Sequence, residues 1–60
     1  MSELLKPGEV AALIKVKPVT VYAWASRGIL PHFKLEGVIR FSREDILEFI
    51  RHRRIEAKRL

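Results

Sequence analysis

Two prolines set the frame of this chain. Pro7 and Pro18 each stand at the head of a short apolar run, Pro7-Gly8-Glu9-Val10 and Pro18-Val19-Thr20-Val21. Proline is tolerated at a first helical position because the N–H it lacks would have no partner there. Val10, Leu13 and Ile14 then recur at the i, i+3, i+4 spacing of a buried stripe, and small Ala11 and Ala12 permit close approach. Glu9 sets a negative charge against the positive helix end. This spacing predicts a helix over 7–15 and a second from Pro18 to Arg27, stopped by Gly28, which suits a left-handed helix terminus. Pro31 holds Leu30 extended. Lys6 and Lys17 stand where Ser, Thr, Asp or Asn normally caps a helix, which weakens each start by about 1 kcal/mol.

Only Lys15-Val16-Lys17 is left to turn the chain, and two short helices on a three-residue connection have helix-turn-helix spacing. Sixty residues make one small domain. A chain this short buries only about 60% of its unfolded surface, so its stability margin is thin. With no cysteine, neither a disulfide nor a thiolate metal site supports the core. Apolar residues at 48% and charged ones at 32% exclude a disordered or fibrous chain. The start MSELLKPGE lacks the basic head and long apolar run of a secretory signal. No segment approaches the roughly 20 apolar residues that span a bilayer. The expectation is a cytoplasmic protein with no membrane partner and no cofactor.

His32 to Phe41 has the pattern of a β-hairpin around Glu36-Gly37. Pairing Leu35 with Ile39 would gather Phe33, Leu35, Ile39 and Phe41 on one face and send Lys34 and Arg40 to the other. A one-residue slip reverses every side chain, so the apolar pattern favours this register. It requires a three-residue loop or a bulge, with Gly37 at positive φ. Ser42 then caps a third helix, with Asp45 placed to return a capping-box bond. Ile46, Phe49, Ile50 and Arg53 form its inward stripe, and from Arg51 onward the helix is expected to run into solvent and fray.

Twelve Lys and Arg against seven Asp and Glu leave a net charge of +5. Residues 1–45 hold seven basic and five acidic side chains (+2), whereas residues 46–60 hold five and two (+3). A small basic domain with a basic tail suggests a polyanionic partner, with ordinary solubility charge as the alternative. At about 100° per residue, Val21, Trp24, Ala25 and Gly28 share one side of the second helix. The opposite side is centred on Val19, Ala23 and Ser26, with Tyr22 on one edge and Thr20 and Arg27 on the other. Direct readout of bases relies on Arg, Lys, Asn or Gln, and none stands at the centre of this face. Such a helix fits a groove but reads weakly. Lys17, Tyr22, Arg27, Lys34, Arg40 and Arg43 surround it with phosphate-seeking groups, which position a protein without specifying sequence.

The stretch LKPGEVAALIKVKPVTVYAWASRGILP, followed by FKLEGVIRFSREDILEFI, resembles the MerR-like winged helix-turn-helix of the excisionase family. The most specific parts are Thr20-Val21-Tyr22, Gly28-Ile29-Leu30-Pro31 and Arg40-Phe41-Ser42-Arg43-Glu44-Asp45, and the likeness covers residues 5–50. Departures stand at Lys15, where the family often has Gly, at Lys17, where it often has Ser, and at Ala23, where it often has a polar or basic residue. The resemblance implies that the second helix enters the major groove while the wing touches neighbouring backbone or minor groove. It also implies a role in excising a mobile element or in a small transcriptional switch.

The resulting expectation is a mainly α fold with a β-hairpin, one winged helix-turn-helix domain over 1–60, with its core at about 5–52 and a basic tail at 53–60. It would bind double-stranded DNA through Lys17, Val19, Thr20, Tyr22, Ala23, Ser26, Arg27, Lys34, Arg40 and Arg43, with Arg40 as the wing residue aimed at a minor groove. The best specific reading is an excisionase-like architectural factor that binds as adjacent copies beside a site-specific recombinase on the nucleoid. A small transcriptional regulator is the nearest rival, and an adaptor docking a protein on Val19 and Ala23 the rival of another class.

Several residues have plainer readings. Trp24, Phe41 and Phe49 are core candidates rather than a stacking platform. Tyr22 is either a backbone contact or a half-buried surface aromatic. Lys34 and Arg40 also serve to guard a sheet edge, and Arg51, Arg53 and Arg54 suit a solvated face, a DNA clamp or a docking surface. Catalysis finds no support: His32 and His52 are far apart, no carboxylate cluster joins either at ligand spacing, and there is no glycine-rich phosphate loop.

Overall fold

A computed structural model describes residues 3–57. Strand β1 (Leu4–Leu5) leads into helix α1 (Pro7–Ile14) and then helix α2 (Pro18–Ser26). Strands β2 (Phe33–Leu35) and β3 (Val38–Ser42) form the hairpin, and helix α3 (Arg43–Arg51) follows without a break. The two-residue strand β1, unexpected from the sequence, pairs Leu4 with Ser42 and Leu5 with Phe41. The antiparallel sheet therefore has the order β1-β3-β2, with β3 central. Three helices and this small sheet make a winged helix-turn-helix fold.

Both prolines open their helices as expected. The start of α1 is better satisfied than Lys6 suggests, because the Glu9 carboxylate accepts the Lys6 backbone N–H at 2.7 Å. That is half of a capping box. The helix ends one residue earlier than expected, at Ile14, with Lys15 as its left-handed cap at φ 60° and ψ 50°. The N–H of Val16 returns to the carbonyl of Ala11 at 2.9 Å, which closes the turn. The end of α2 uses glycine for the same purpose. Gly28 lies at φ 73°, and the N–H of Ile29 reaches the Trp24 carbonyl at 2.9 Å. At α3, Ser42 Oγ accepts the Asp45 N–H at 3.4 Å.

The hairpin corrects the expected register. Leu35 pairs with Val38, Lys34 with Ile39, and Phe33 with Arg40, so the loop is the two residues Glu36 and Gly37. Both have positive φ, 50° and 81°. That is the mirror-image turn whose twist matches the flanking strands. Apolar pattern fixes a register only where one face is buried. Here Phe33, Leu35 and Val38 all remain exposed, so nothing penalises putting Val38 and Arg40 beside them. Lys34 and Arg40 consequently project from opposite faces of the hairpin instead of together.

The core is Leu5, Val10, Ala11, Val21, Ala25, Leu30, Phe41 and Ile46. Every element except β2 contributes to it. Around this centre pack Leu13, Ile14, Val16, Trp24, Ile39 and Phe49. The inward stripe of α3 is narrower than expected. Ile46 is buried and Phe49 partly so, but Ile50 is exposed and Arg53 lies beyond the helix end. The expected basic tail is described as far as Ala57; Lys58, Arg59 and Leu60 lie outside the described residues.

Candidate nucleic-acid interface

Helix α2 is sealed on one side and open on the other. Val21 and Ala25 are buried against α1 and the core, and Trp24 leans on Phe49 of α3 with ring centroids 6.1 Å apart. These contacts fix the rotation of the helix about its axis. The side turned away presents Val19, 68% exposed, and Tyr22, 50% exposed, together with exposed Ala23 and Ser26. Thr20 lies at the margin, half-buried.

Charge is arranged around this face by the helix ends. Lys17 is the N-cap of α2 and Arg27 its C-cap, and both are exposed. One feature of the sequence reinforces them: no Asp or Glu occurs between Glu9 and Glu36, whereas Lys15, Lys17, Arg27 and Lys34 fall in that interval. Helix α2 and both of its connections thus carry positive charge without acidic neighbours in the chain, which favours an anionic partner.

The other candidates are more scattered. Lys34 projects exposed from β2. Arg40 sits half-buried in the middle of β3, on the sheet face of Phe33, and its guanidinium donates to the neighbouring Ile39 carbonyl at 2.7 Å. The tip of the wing belongs to Glu36 and Gly37, as the hairpin pattern predicts, so the turn is led by an acidic group. Arg43 is exposed at the first position of α3, at the end of β3 remote from the turn. The fold therefore gathers Lys17, Val19, Tyr22, Ala23, Ser26 and Arg27 on one helix. It separates Lys34, Arg40 and Arg43 along the sheet.

At the end of α3 and just past it, Arg51, Arg53 and Arg54 each have a partner among the described residues. Arg51 bonds the Glu48 carboxylate, Arg54 lies 3.5 Å from Glu56, and the Arg53 guanidinium covers the Phe49 ring 3.7 Å from its centroid. Exposed pairs of this kind are weak, so a competing phosphate can displace them.

The family model described as a helix-turn-helix domain matches residues 4–54, from β1 to just beyond α3. The chain belongs to that helix-turn-helix family. Membership supports DNA binding through the helix-turn-helix, with α1 and α2 as the two helices of the motif and α2 as the one with a free outer face. No curated protein matches the chain. Among the described residues of this helix-turn-helix protein, no helix is long and apolar enough to cross a membrane.

Proposed function

We propose that this chain is an excisionase-like architectural factor. It binds double-stranded DNA as adjacent copies, with α2 in the major groove and the β2–β3 wing along the neighbouring backbone. It is a binding protein rather than an enzyme, and its partners on the nucleoid are further copies of itself and a site-specific recombinase.

The observation that carries this reading is the composition of the open face of α2. Its centre is Val19, Ala23 and Ser26, bounded by exposed Lys17 and Arg27. No side chain there makes the paired hydrogen bonds by which Arg, Lys, Asn or Gln distinguish purines. Affinity then comes mainly from phosphates and released counterions, and selectivity from duplex shape and from neighbours bound alongside. A lone copy with so little base readout locates a site poorly, whereas a row of copies multiplies small preferences.

Gel-shift titration on a long fragment tests the proposal. Adjacent copies give a ladder of complexes that fills cooperatively. A single sharp complex on one palindromic site would instead identify a dimeric transcriptional regulator with the same domain. The exposure of Val19 supports a second reading, an adaptor that docks a protein on this face. Salt separates the two. DNA affinity falls with a log–log slope of about −0.9 per phosphate neutralised, while an apolar protein contact responds little.

A further inference from the structure

We infer that α2 reads thymine methyl groups, with Val19 and Ala23 as its specificity-determining contacts. The inference rests on the DNA-binding reading above and adds an apolar base-edge contribution to the selectivity drawn there from duplex shape and neighbouring copies. Val19 is a β-branched aliphatic side chain left 68% exposed, whereas the other large aliphatic residues of α1 and α2, Val10, Leu13, Ile14 and Val21, are all buried or partly buried. Neither Val19 nor Ala23 has a hydrogen-bonding group in its side chain, so neither can answer the donors and acceptors that mark guanine, cytosine or adenine. The C5-methyl of thymine is the one apolar group on a major-groove base edge, and small aliphatic side chains are its natural contacts.

Spacing and charge fit the same target. Positions 19 and 23 are one helical turn apart on one face, which separates them by about 6 Å along the axis. That span corresponds to about two base steps at 3.4 Å each, so both side chains can meet methyls within one short thymine-containing run. Lys17 and Arg27 flank the pair, and the acid-free interval from Val10 to Leu35 surrounds it with positive charge. An apolar pair set among cations complements a polyanion that offers methyl groups better than it complements an apolar protein surface.

The test uses the full chain and duplexes selected with it from a randomised pool. In the tightest of these, every thymine is replaced by uracil, which keeps the base pairing and removes only the C5-methyl. Burying one methyl is worth about a fourfold change in affinity. Uracil replacement is therefore expected to weaken wild-type binding by roughly fifteenfold where both side chains are engaged. Val19→Ser, at an exposed position that leaves thermal stability unchanged, should lose much of that sensitivity. Equal wild-type affinity for the two duplexes overturns the inference and leaves DNA binding intact. Full uracil sensitivity in Val19→Ser also overturns it, because the methyl effect then acts through duplex shape. If no duplex in the pool is bound, the DNA-binding reading fails and the inference fails with it.

Discussion

The indole of Trp24 and the ring of Phe49 meet at a 40° tilt, with their centroids 6.1 Å apart. This contact joins α2 to α3 across the side of the motif opposite its open face. It is continued by the Arg53 guanidinium, 3.7 Å from the Phe49 centroid. Together with buried Val21 and Ala25, it determines which residues of α2 meet solvent.

Removing either ring therefore lowers stability, while trimming the open face does not. Trp24 and Phe49 are only partly buried, so Trp24→Ala or Phe49→Ala should cost about 2 kcal/mol, below the 3–5 of a fully buried aromatic. Val19→Ala should stay within about 0.5 kcal/mol of wild type. Urea unfolding followed by far-UV circular dichroism reads both; equal losses at Trp24 and Val19 would mean that α2 is rotated from the orientation described.

Lys15 occupies a left-handed conformation at φ 60° where glycine would meet no steric penalty. For a residue with a Cβ that conformation costs about 1–2 kcal/mol, part of which glycine returns through its greater freedom when unfolded. Lys15→Gly should raise stability by about 0.5–1 kcal/mol, and thermal unfolding checks it.

At the wing tip, Glu36 has φ 50° in a turn that favours Asn before Gly. Glu36→Asn should raise the melting temperature by a few degrees, because it relieves a modest backbone cost in a domain of this size. It also removes a negative charge from the part of the wing nearest the proposed DNA backbone. Duplex affinity at low salt should increase, and that increase should shrink as salt is added.

Glu48 carries the clearest perturbed titration. A hydrogen bond from His52 at 2.6 Å, supported by the charges of Arg51 and His52, holds its carboxyl below the ordinary glutamate value. A group whose pKa is depressed on folding adds stability that is fully present above its unfolded pKa and is lost as pH falls through the folded one. This contribution to the end of α3 should accordingly be lost as pH falls below the usual glutamate titration. Carboxyl chemical shifts of Glu48 across a pH titration test this, and Glu48→Gln should remove the dependence.

Much of the fold is legible because local signals agree. Pro7, Pro18, Gly28 and Ser42 punctuate the helices, and the 100° spacing of α2 correctly separates Val21 and Ala25 from Val19, Ala23 and Ser26. The hairpin register is not legible in the same way. It depends on whether Phe33 and Leu35 are covered, which only the tertiary arrangement decides. Strand β1 is too short for any periodic signal, and the left-handed Lys15 runs against its residue type. The candidate site divides likewise. Its helical part follows from sequence, whereas the separation of Lys34 from Arg40 emerges only once Leu35 is seen to pair with Val38.

The most direct test of the account is duplex affinity of Ala23→Glu at moderate salt. Position 23 is exposed at the centre of the open face, so the substitution should leave helix content and melting temperature unchanged. If that face lies against DNA, a carboxylate placed there should weaken binding by at least about tenfold through repulsion and desolvation. Wild-type affinity in the folded Ala23→Glu variant would show that α2 does not face the duplex.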